Sequence, residues 1–322
     1  MRAIRVHRFG GPEEMVLEEL PTPEPDPGAA RVRLAAAGVN YSEVGQRTGS
    51  HGGPLPQTIG REGAGTVEAI GTGVDAVSVG DRVVWCSVPG AYATAAVVPA
   101  ERLVRLPDAI SFEQAAAAML QGMTAHYLTH STYPLQPGDS CLVHAAAGGV
   151  GLLLCQLAKR RGARVLGTVS TEAKAALARS AGADAVILYT EQDFEAEVKR
   201  LTDGAGVSVV YDGVGKDTFE KSLRCLSRRG MLALYGQASG PIPPLDTRVL
   251  NSLGSLFMTR PSLGDYVATR QELLERCGEV LGRVADRSLK LRIERTYPLA
   301  EAAQAHRDLT GRRTTGKLLL LP

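Results

Sequence analysis

Nowhere in the sequence do hydrophobic residues run for the roughly 18 positions that a membrane-spanning helix requires, so no membrane partner is expected. Arg2, Arg5 and Arg8 are followed by no apolar stretch, and the amino terminus does not read as a secretory leader. Charge of one sign is missing too: 36 Lys and Arg stand against 34 Asp and Glu, with no basic run and no interleaved aromatic stripe. A surface that follows a phosphate backbone needs such features, and their lack argues against a nucleic-acid partner. The five cysteines, Cys86, Cys141, Cys155, Cys225 and Cys277, are odd in number and never spaced as Cys-x-x-Cys. That pattern excludes a disulfide framework and fits a reducing, cytoplasmic setting. Internal repeats and low-complexity segments are absent as well.

What is present is the composition of an ordinary globular protein, 44% hydrophobic and 22% charged over 322 residues. Single cores stop growing near ~250 residues, so two domains are expected. The first hundred or so residues read as strands punctuated by Gly and Pro, with alternation at Val32, Leu34 and Ala36 and again over residues 81–85. After Pro107 the texture changes. Ser111 and Gln114 form a capping-box pattern that opens an Ala-rich helix, and a second helical stretch is expected over residues 124–133. From Asp139 strand and helix alternate, with strands expected at 141–144, 164–169, 185–188, 208–212, 231–235 and 254–258. Helices between strands are how a parallel sheet is connected, and six such strands complete a dinucleotide-binding fold. A helix over 300–309 and a strand over 317–321 are expected to return to the first domain.

The strongest chemical signal is Cys141-Leu-Val-His-Ala-Ala-Ala-Gly148-Gly149-Val150-Gly151, an apolar strand running into a glycine-rich turn and then a helix over 152–160. Backbone N–H groups of such a turn approach a pyrophosphate, and the helix start adds partial positive charge. Ala146 replaces the first glycine of G-x-G-x-x-G, so the pattern alone is also compatible with a structural turn; its place between strand and helix favours the nucleotide. At the end of the next strand a carboxylate would bind the ribose hydroxyls of NAD and repel a 2′-phosphate. This sequence has Ser170, Thr171 and Lys174 there instead, which selects NADPH. The plainer alternative is that Ser170 or Thr171 caps a helix and Lys174 is a solvated lysine.

Gly138-Asp139-x-x-Leu142-x-x-x-Ala146-Ala147-Gly148-Gly149-x-Gly151-x-x-x-x-Gln156-x-x-Lys159 resembles the signature of the quinone oxidoreductase and ζ-crystallin branch of the zinc-type medium-chain dehydrogenase/reductases. Gly60-x-Glu62-x-x-Gly65-x-x-x-x-x-Gly71-x-x-Val74 is similar to the pattern of that superfamily's GroES-like catalytic domain. Arg260 to Ser262 and the terminal Gly316-Lys-Leu-Leu extend the resemblance over essentially the whole chain. It implies an α/β protein: a GroES-like β-rich catalytic domain over 1–122, completed by 262–322, and a Rossmann domain over 123–261 with a doubly wound, parallel six-stranded sheet. Zinc-binding relatives carry a ligand histidine where this chain has Arg61, and the four-cysteine lobe is missing, so no metal is expected. Without a Lewis acid, ionising an alcohol is difficult; adding hydride to a quinone or an α,β-unsaturated carbonyl is easier.

Carried over by motif, the resemblance implies Asn40, Tyr41 and Gln121 as the residues that orient the acceptor's carbonyl. It implies Asn40, Tyr41, Thr124, Tyr127, Gly148, Gly149, Val150, Gly151, Ser170, Lys174, Tyr189, Gly236, Phe257, Thr259 and Arg312 as the nucleotide site, in a cleft between the domains. Tyr127 and Tyr189 also read as core or surface aromatics, and Arg312 as a solvated charge. The chain departs from the branch pattern Asn-x-x-Asp-x-Tyr-x-Arg-x-Gly-x-Tyr in having Gly45 and His51 for the two tyrosines, which implies a wider, more polar pocket. His51 is either a proton donor or a loop residue without chemistry. Glu62 reads as a catalytic carboxylate or, preferably, as a structural ion pair beside Arg61. The expected activity is zinc-independent reduction of a quinone by NADPH. The alternatives are a dedicated enal or enone reductase, a non-catalytic NADPH-binding protein of ζ-crystallin type, and a reductase module of a larger synthase, the last less favoured given the start at Met1 and the strand ending at Pro322. The apolar strand at 254–258 is expected at a sheet edge, where a second copy would pair to give a homodimer.

Overall fold

The computed structural model describes all 322 residues. The chain divides into two compact units, Met1–Met123 with Val267–Pro322, and Thr124–Tyr266. The second is a six-stranded sheet in which every neighbouring pair is parallel. Its strands lie in the order Ala185–Leu188, Arg164–Val169, Ser140–Val143, Val207–Asp212, Leu226–Leu234, Phe257–Thr259. The first strand in sequence is thus in the middle and the chain winds outward to both sides, which is the Rossmann arrangement. Strands covered on both faces need continuous apolar runs, and Cys141, Leu142, Val143, Val165, Leu166, Val209 and Val210 are all buried. His144, next after the central strand, is buried between Thr168, whose Oγ1 is 2.9 Å from Nδ1, and Ser222, whose Oγ is 3.0 Å from Nε2. The Ser222 hydroxyl donates in turn to Asp212 at 3.1 Å. Burial lowers the histidine's pKa, so a neutral ring ties the carboxyl ends of adjacent strands together just below the glycine turn.

The first unit is β-rich. A seven-stranded sheet is built around the long strand Ala29–Val39, which pairs antiparallel with Glu62–Ile70, Ala95–Pro99 and the terminal strand Lys317–Leu321. Val32, Leu34, Val67, Trp85, Leu318 and Leu320 form its core. The carboxyl-terminal segment belongs to this unit, with the strands Ile293–Pro298 and Lys317–Leu321 side by side.

Three local expectations are corrected. No second helix begins at 124: one helix runs Phe112–Tyr127 through Gly122 and passes into a π turn, Leu128–Thr132. The glycine is there because a Cβ would approach Val280 Cγ1 to 2.6 Å. The last strand of the six begins at Phe257 rather than 254, because Gly254 and Ser255 both take positive φ, 109° and 57°. The strand expected at 231–235 starts earlier, at Leu226.

Candidate functional site

Register brings together groups distant in sequence. Leu318 lies opposite Val39, so one step further the antiparallel pairing sets Lys317 beside Asn40. Ala37 lies opposite Gly63, so the same step sets Glu62 beside Gly38. The result is a closed polar cluster. Lys317 Nζ donates to Asn40 Oδ1 at 2.7 Å and to Glu62 Oε2 at 2.5 Å, with the two charged side chains 3% and 0% exposed. Asn40 Nδ2 donates to Glu62 Oε2 at 3.1 Å, and the Leu120 N–H donates to Glu62 Oε1 at 2.6 Å. Gln121 Nε2 donates to Asn40 Oδ1 at 3.2 Å, which fixes both amides in one orientation. Gly38 is required beneath them, since a Cβ would overlap Glu62 Oε2 and lie 2.7 Å from Lys317 Nζ.

Glu62 therefore pairs with Lys317, not with the adjacent Arg61; in extended chain, neighbouring side chains point to opposite faces. Asn40 also starts the helix Tyr41–Thr48, where its backbone N–H donates to Glu43 Oε2 at 2.8 Å, one half of a capping box. Glu43 is fully buried, and burial, aided by Glu62 and opposed by Lys317, pushes its carboxyl up to about 7. Its Oε1 has no hydrogen-bond partner. Tyr41 is exposed, and its hydroxyl donates to the Leu309 carbonyl at 3.1 Å. The His51 ring lies over Gly45, where a Cβ would come within 2.5 Å of it. Arg312 is exposed and takes φ 57°.

In the second unit the strand Ser140–Val143 leads through Ala145, with φ 51°, to Gly148 and the helix Gly149–Arg160. The first hydrogen bond of that helix is Leu152 N–H to Gly148 at 2.9 Å. The N–H groups of Gly149, Val150 and Gly151 thus precede the helical ladder and have no intrahelical acceptor. A Cβ at Gly151 would overlap the Ala145 carbonyl oxygen, so the turn closes only around glycine. Ala146, in place of the usual glycine, fits because Gly167 faces it; a Cβ there would lie 2.8 Å from the Ala146 methyl.

Val169 lies opposite Leu188, which puts Ser170 and Tyr189 side by side at the same sheet edge as the turn. Thr171 caps the next helix, accepting from Lys174 N–H at 3.3 Å, and Lys174 Nζ donates to Ser170 Oγ at 3.2 Å. Gly236 sits against the Gly213 backbone, with room for no side chain. Thr124 and Tyr127 are buried, the Tyr127 ring stacked on Tyr266 at 4.2 Å; Phe257 is 57% exposed on the outermost strand, beside Thr259. The structure thus brings together Asn40 with Gln121 in one unit, and Gly148–Gly151 with Ser170, Lys174 and Tyr189 in the other.

Lys317 and Glu43 were not singled out from sequence. A lysine opening an otherwise apolar terminal strand, and a glutamate three residues after Asn40, were the available signals. The five cysteines are all buried, and burial pushes the thiols of Cys86, Cys155, Cys225 and Cys277 up to about 12, which leaves them as core residues.

Two family models match the chain: an alcohol dehydrogenase GroES-like domain over residues 26–108 and a zinc-binding dehydrogenase domain over residues 149–276. A quinone oxidoreductase of Pseudomonas aeruginosa is 46% identical over 323 residues, covering 100% of this chain and 99% of its own. A 2-haloacrylate reductase of a Burkholderia species is 44% identical, covering 98% of each chain. The crystal structure of Escherichia coli quinone oxidoreductase complexed with NADPH matches with a TM-score of 0.98 at 43% identity, over 100% of both chains.

Proposed function

The chain belongs to the quinone oxidoreductase branch of the medium-chain dehydrogenase/reductase superfamily, and from that premise we infer that it is an NADPH-dependent quinone oxidoreductase. The observation that carries this reading is the glycine turn at Gly151 with Ser170, Lys174 and Tyr189 gathered at the same sheet edge and no carboxylate among them. This arrangement fits a dinucleotide with a 2′-phosphate. When bound, NADPH supplies the hydride.

The chain's own residues do the rest. The N–H groups of Gly149, Val150 and Gly151 neutralise the pyrophosphate, and Gly148 and Gly236 leave room for it. Ser170 and Lys174 take the 2′-phosphate, with Tyr189 beside the ribose. Thr124, Tyr127, Phe257, Thr259 and Arg312 complete the assignment on the resemblance alone. The amide of Asn40, fixed by Lys317 and Glu62, and that of Gln121, bonded to Asn40, hold the acceptor's carbonyl oxygen and stabilise the negative charge that hydride addition leaves on it. Tyr41 is assigned with them. Reduction of a quinone consumes one hydride and one solvent proton and releases the quinol. Arg61 occupies the position of a zinc-ligand histidine, and a guanidinium binds no zinc, so the oxygen is stabilised by these donors.

A second reading, an activated-alkene reductase, is favoured by the 44% identity to a 2-haloacrylate reductase and by the Gly45 and His51 pair, which replaces two tyrosines of the branch pattern. Turnover of 1,4-benzoquinone against 2-chloroacrylate and a simple enone, each with NADPH, decides between them; a higher kcat/KM for the alkenes would overturn the quinone assignment. Replacing Lys174 with alanine is expected to weaken NADPH binding by about 1.5 to 3 kcal/mol and leave NADH nearly unchanged, as read by fluorescence titration. Equal losses for both cofactors would remove Lys174 from the 2′-phosphate.

The exposed Phe257 on the outermost strand supports a homodimer paired through that edge, which equilibrium sedimentation of the Phe257→Glu variant tests. No helix is long and apolar enough to cross a membrane. Five buried, unbridged cysteines support a cytoplasmic location.

A further inference from the structure

Two carboxylates and one ammonium share the buried cluster below Asn40, so the cluster cannot be neutral unless one carboxylate holds a proton. Glu62 is fully bonded, accepting from Lys317, Asn40 Nδ2 and the Leu120 N–H. Glu43 is not: Oε2 accepts from the Asn40 N–H, and Oε1, equally buried, meets no donor. A buried carboxylate oxygen that meets no protein donor favours the protonated form.

We propose that Glu43 is a positioning residue for the reaction: by gaining or losing a proton inside the cluster of Glu62, Lys317 and Asn40, it sets the charge behind the amides that meet the acceptor's oxygen. The inference rests on the reading that Asn40 and Gln121 hold that oxygen. Its geometry is independent of that reading.

Charged and titratable groups face Glu43 from several elements. Lys317 approaches from the terminal strand and Glu62 from Glu62–Ile70. Tyr92 faces it from the segment before Ala95–Pro99, its phenol held protonated by burial and by the two carboxylates. The Tyr92 hydroxyl is 3.1 Å from His306 Nε2, on the helix Ala302–Thr310. Burial and the neighbouring Arg47 push that imidazole down to about 3, so it stays neutral. Arg47, on the same helix as Glu43, donates to His306 Nδ1 at 3.4 Å and to the Gly10 carbonyl at 2.5 Å. Burial pushes Glu43 itself up to about 7. Below that pH the Lys317 and Glu62 charges cancel and Glu43 is neutral. Above it the cluster carries one net negative charge, joined to Asn40 through its own N–H, and opposes the anion formed by hydride addition.

The test is the single-turnover rate of NADPH oxidation by 1,4-naphthoquinone, followed against pH. In the wild type the rate is expected to fall by on the order of tenfold as Glu43 ionises, with its midpoint near about pH 7. Glu43→Gln removes that inflection. Lys317→Met moves it upward, because the ammonium that restrains Glu43's proton affinity is gone, a shift that a purely structural role would not produce. A measurement on the wild-type protein alone keeps the inference testable if the variants do not fold: with glutamate labelled at the side-chain carboxyl carbon, one resonance is expected to titrate near about pH 7. No such resonance, or an unchanged inflection in Glu43→Gln, overturns the inference. If Asn40→Ala leaves the rate and its profile as in the wild type, the acceptor assignment falls first and takes the inference with it.

Discussion

Gly151→Ala is expected to weaken NADPH binding by on the order of a hundredfold, close to 3 kcal/mol, with the rest of the fold retained. The methyl group has nowhere to go: the Cβ overlaps the Ala145 carbonyl oxygen and lies 2.9 Å from the Ala146 backbone, and neither is a side chain able to rotate away. Relief requires the helix Gly149–Arg160 to move off the turn, and the N–H groups of Gly149, Val150 and Gly151 move with it. Those groups are the ones assigned to the pyrophosphate, so a displacement of a few tenths of an ångström is felt in binding before it is felt in folding. Fluorescence titration with NADPH, paired with circular dichroism of the variant, checks this. Unchanged affinity in a folded Gly151→Ala protein would contradict the assignment of the turn.

Lys317→Met is expected to destabilise the protein by about 3 to 5 kcal/mol at neutral pH, the range for removing one partner of a buried ion pair. Methionine is unbranched and only one atom shorter than lysine, so the loss is chiefly electrostatic. Glu62 keeps only the Asn40 and Leu120 donors, and Asn40 Oδ1 keeps only Gln121. The urea midpoint is the readout. The loss is expected to shrink on acidification, because an unpaired buried carboxylate can then take a proton. A loss below about 1 kcal/mol would mean that the pair contributes no more than an exposed one.

The parts of this molecule that were legible in the sequence are those that local rules determine. Strand followed by glycine turn followed by helix identified the six-stranded sheet, since a parallel sheet admits few other readings. Ser170 and Lys174 were readable because one strand end and the first turn of one helix hold them together. The missing parts are non-local. Lys317 reaches Asn40 and Glu62 through two antiparallel registers that join residues more than 250 positions apart, and nothing adjacent to Lys317 announces it. Glu62 was given Arg61 as its partner because sequence reasoning favours neighbours, whereas extended backbone turns neighbours away from each other. Glu43 was visible only as the residue three after Asn40, and the sequence did not mark Asn40 as a helix cap. Its burial depends on Tyr92 and the terminal strand closing over it. A second helix was expected over 124–133, whereas one helix runs through Gly122, whose use as a contact surface for Val280 is a property of packing.

This chain passes hydride from NADPH to a quinone. The most direct test is anaerobic mixing of the chelator-treated protein with NADPH and 1,4-benzoquinone, following absorbance at 340 nm and the quinol formed. One quinol per NADPH consumed is expected, with a much slower reaction with NADH and loss of rate in Asn40→Ala. Tight NADPH binding with no turnover of the quinone, an enone or a haloacrylate would contradict it and leave a nucleotide-binding protein without this chemistry.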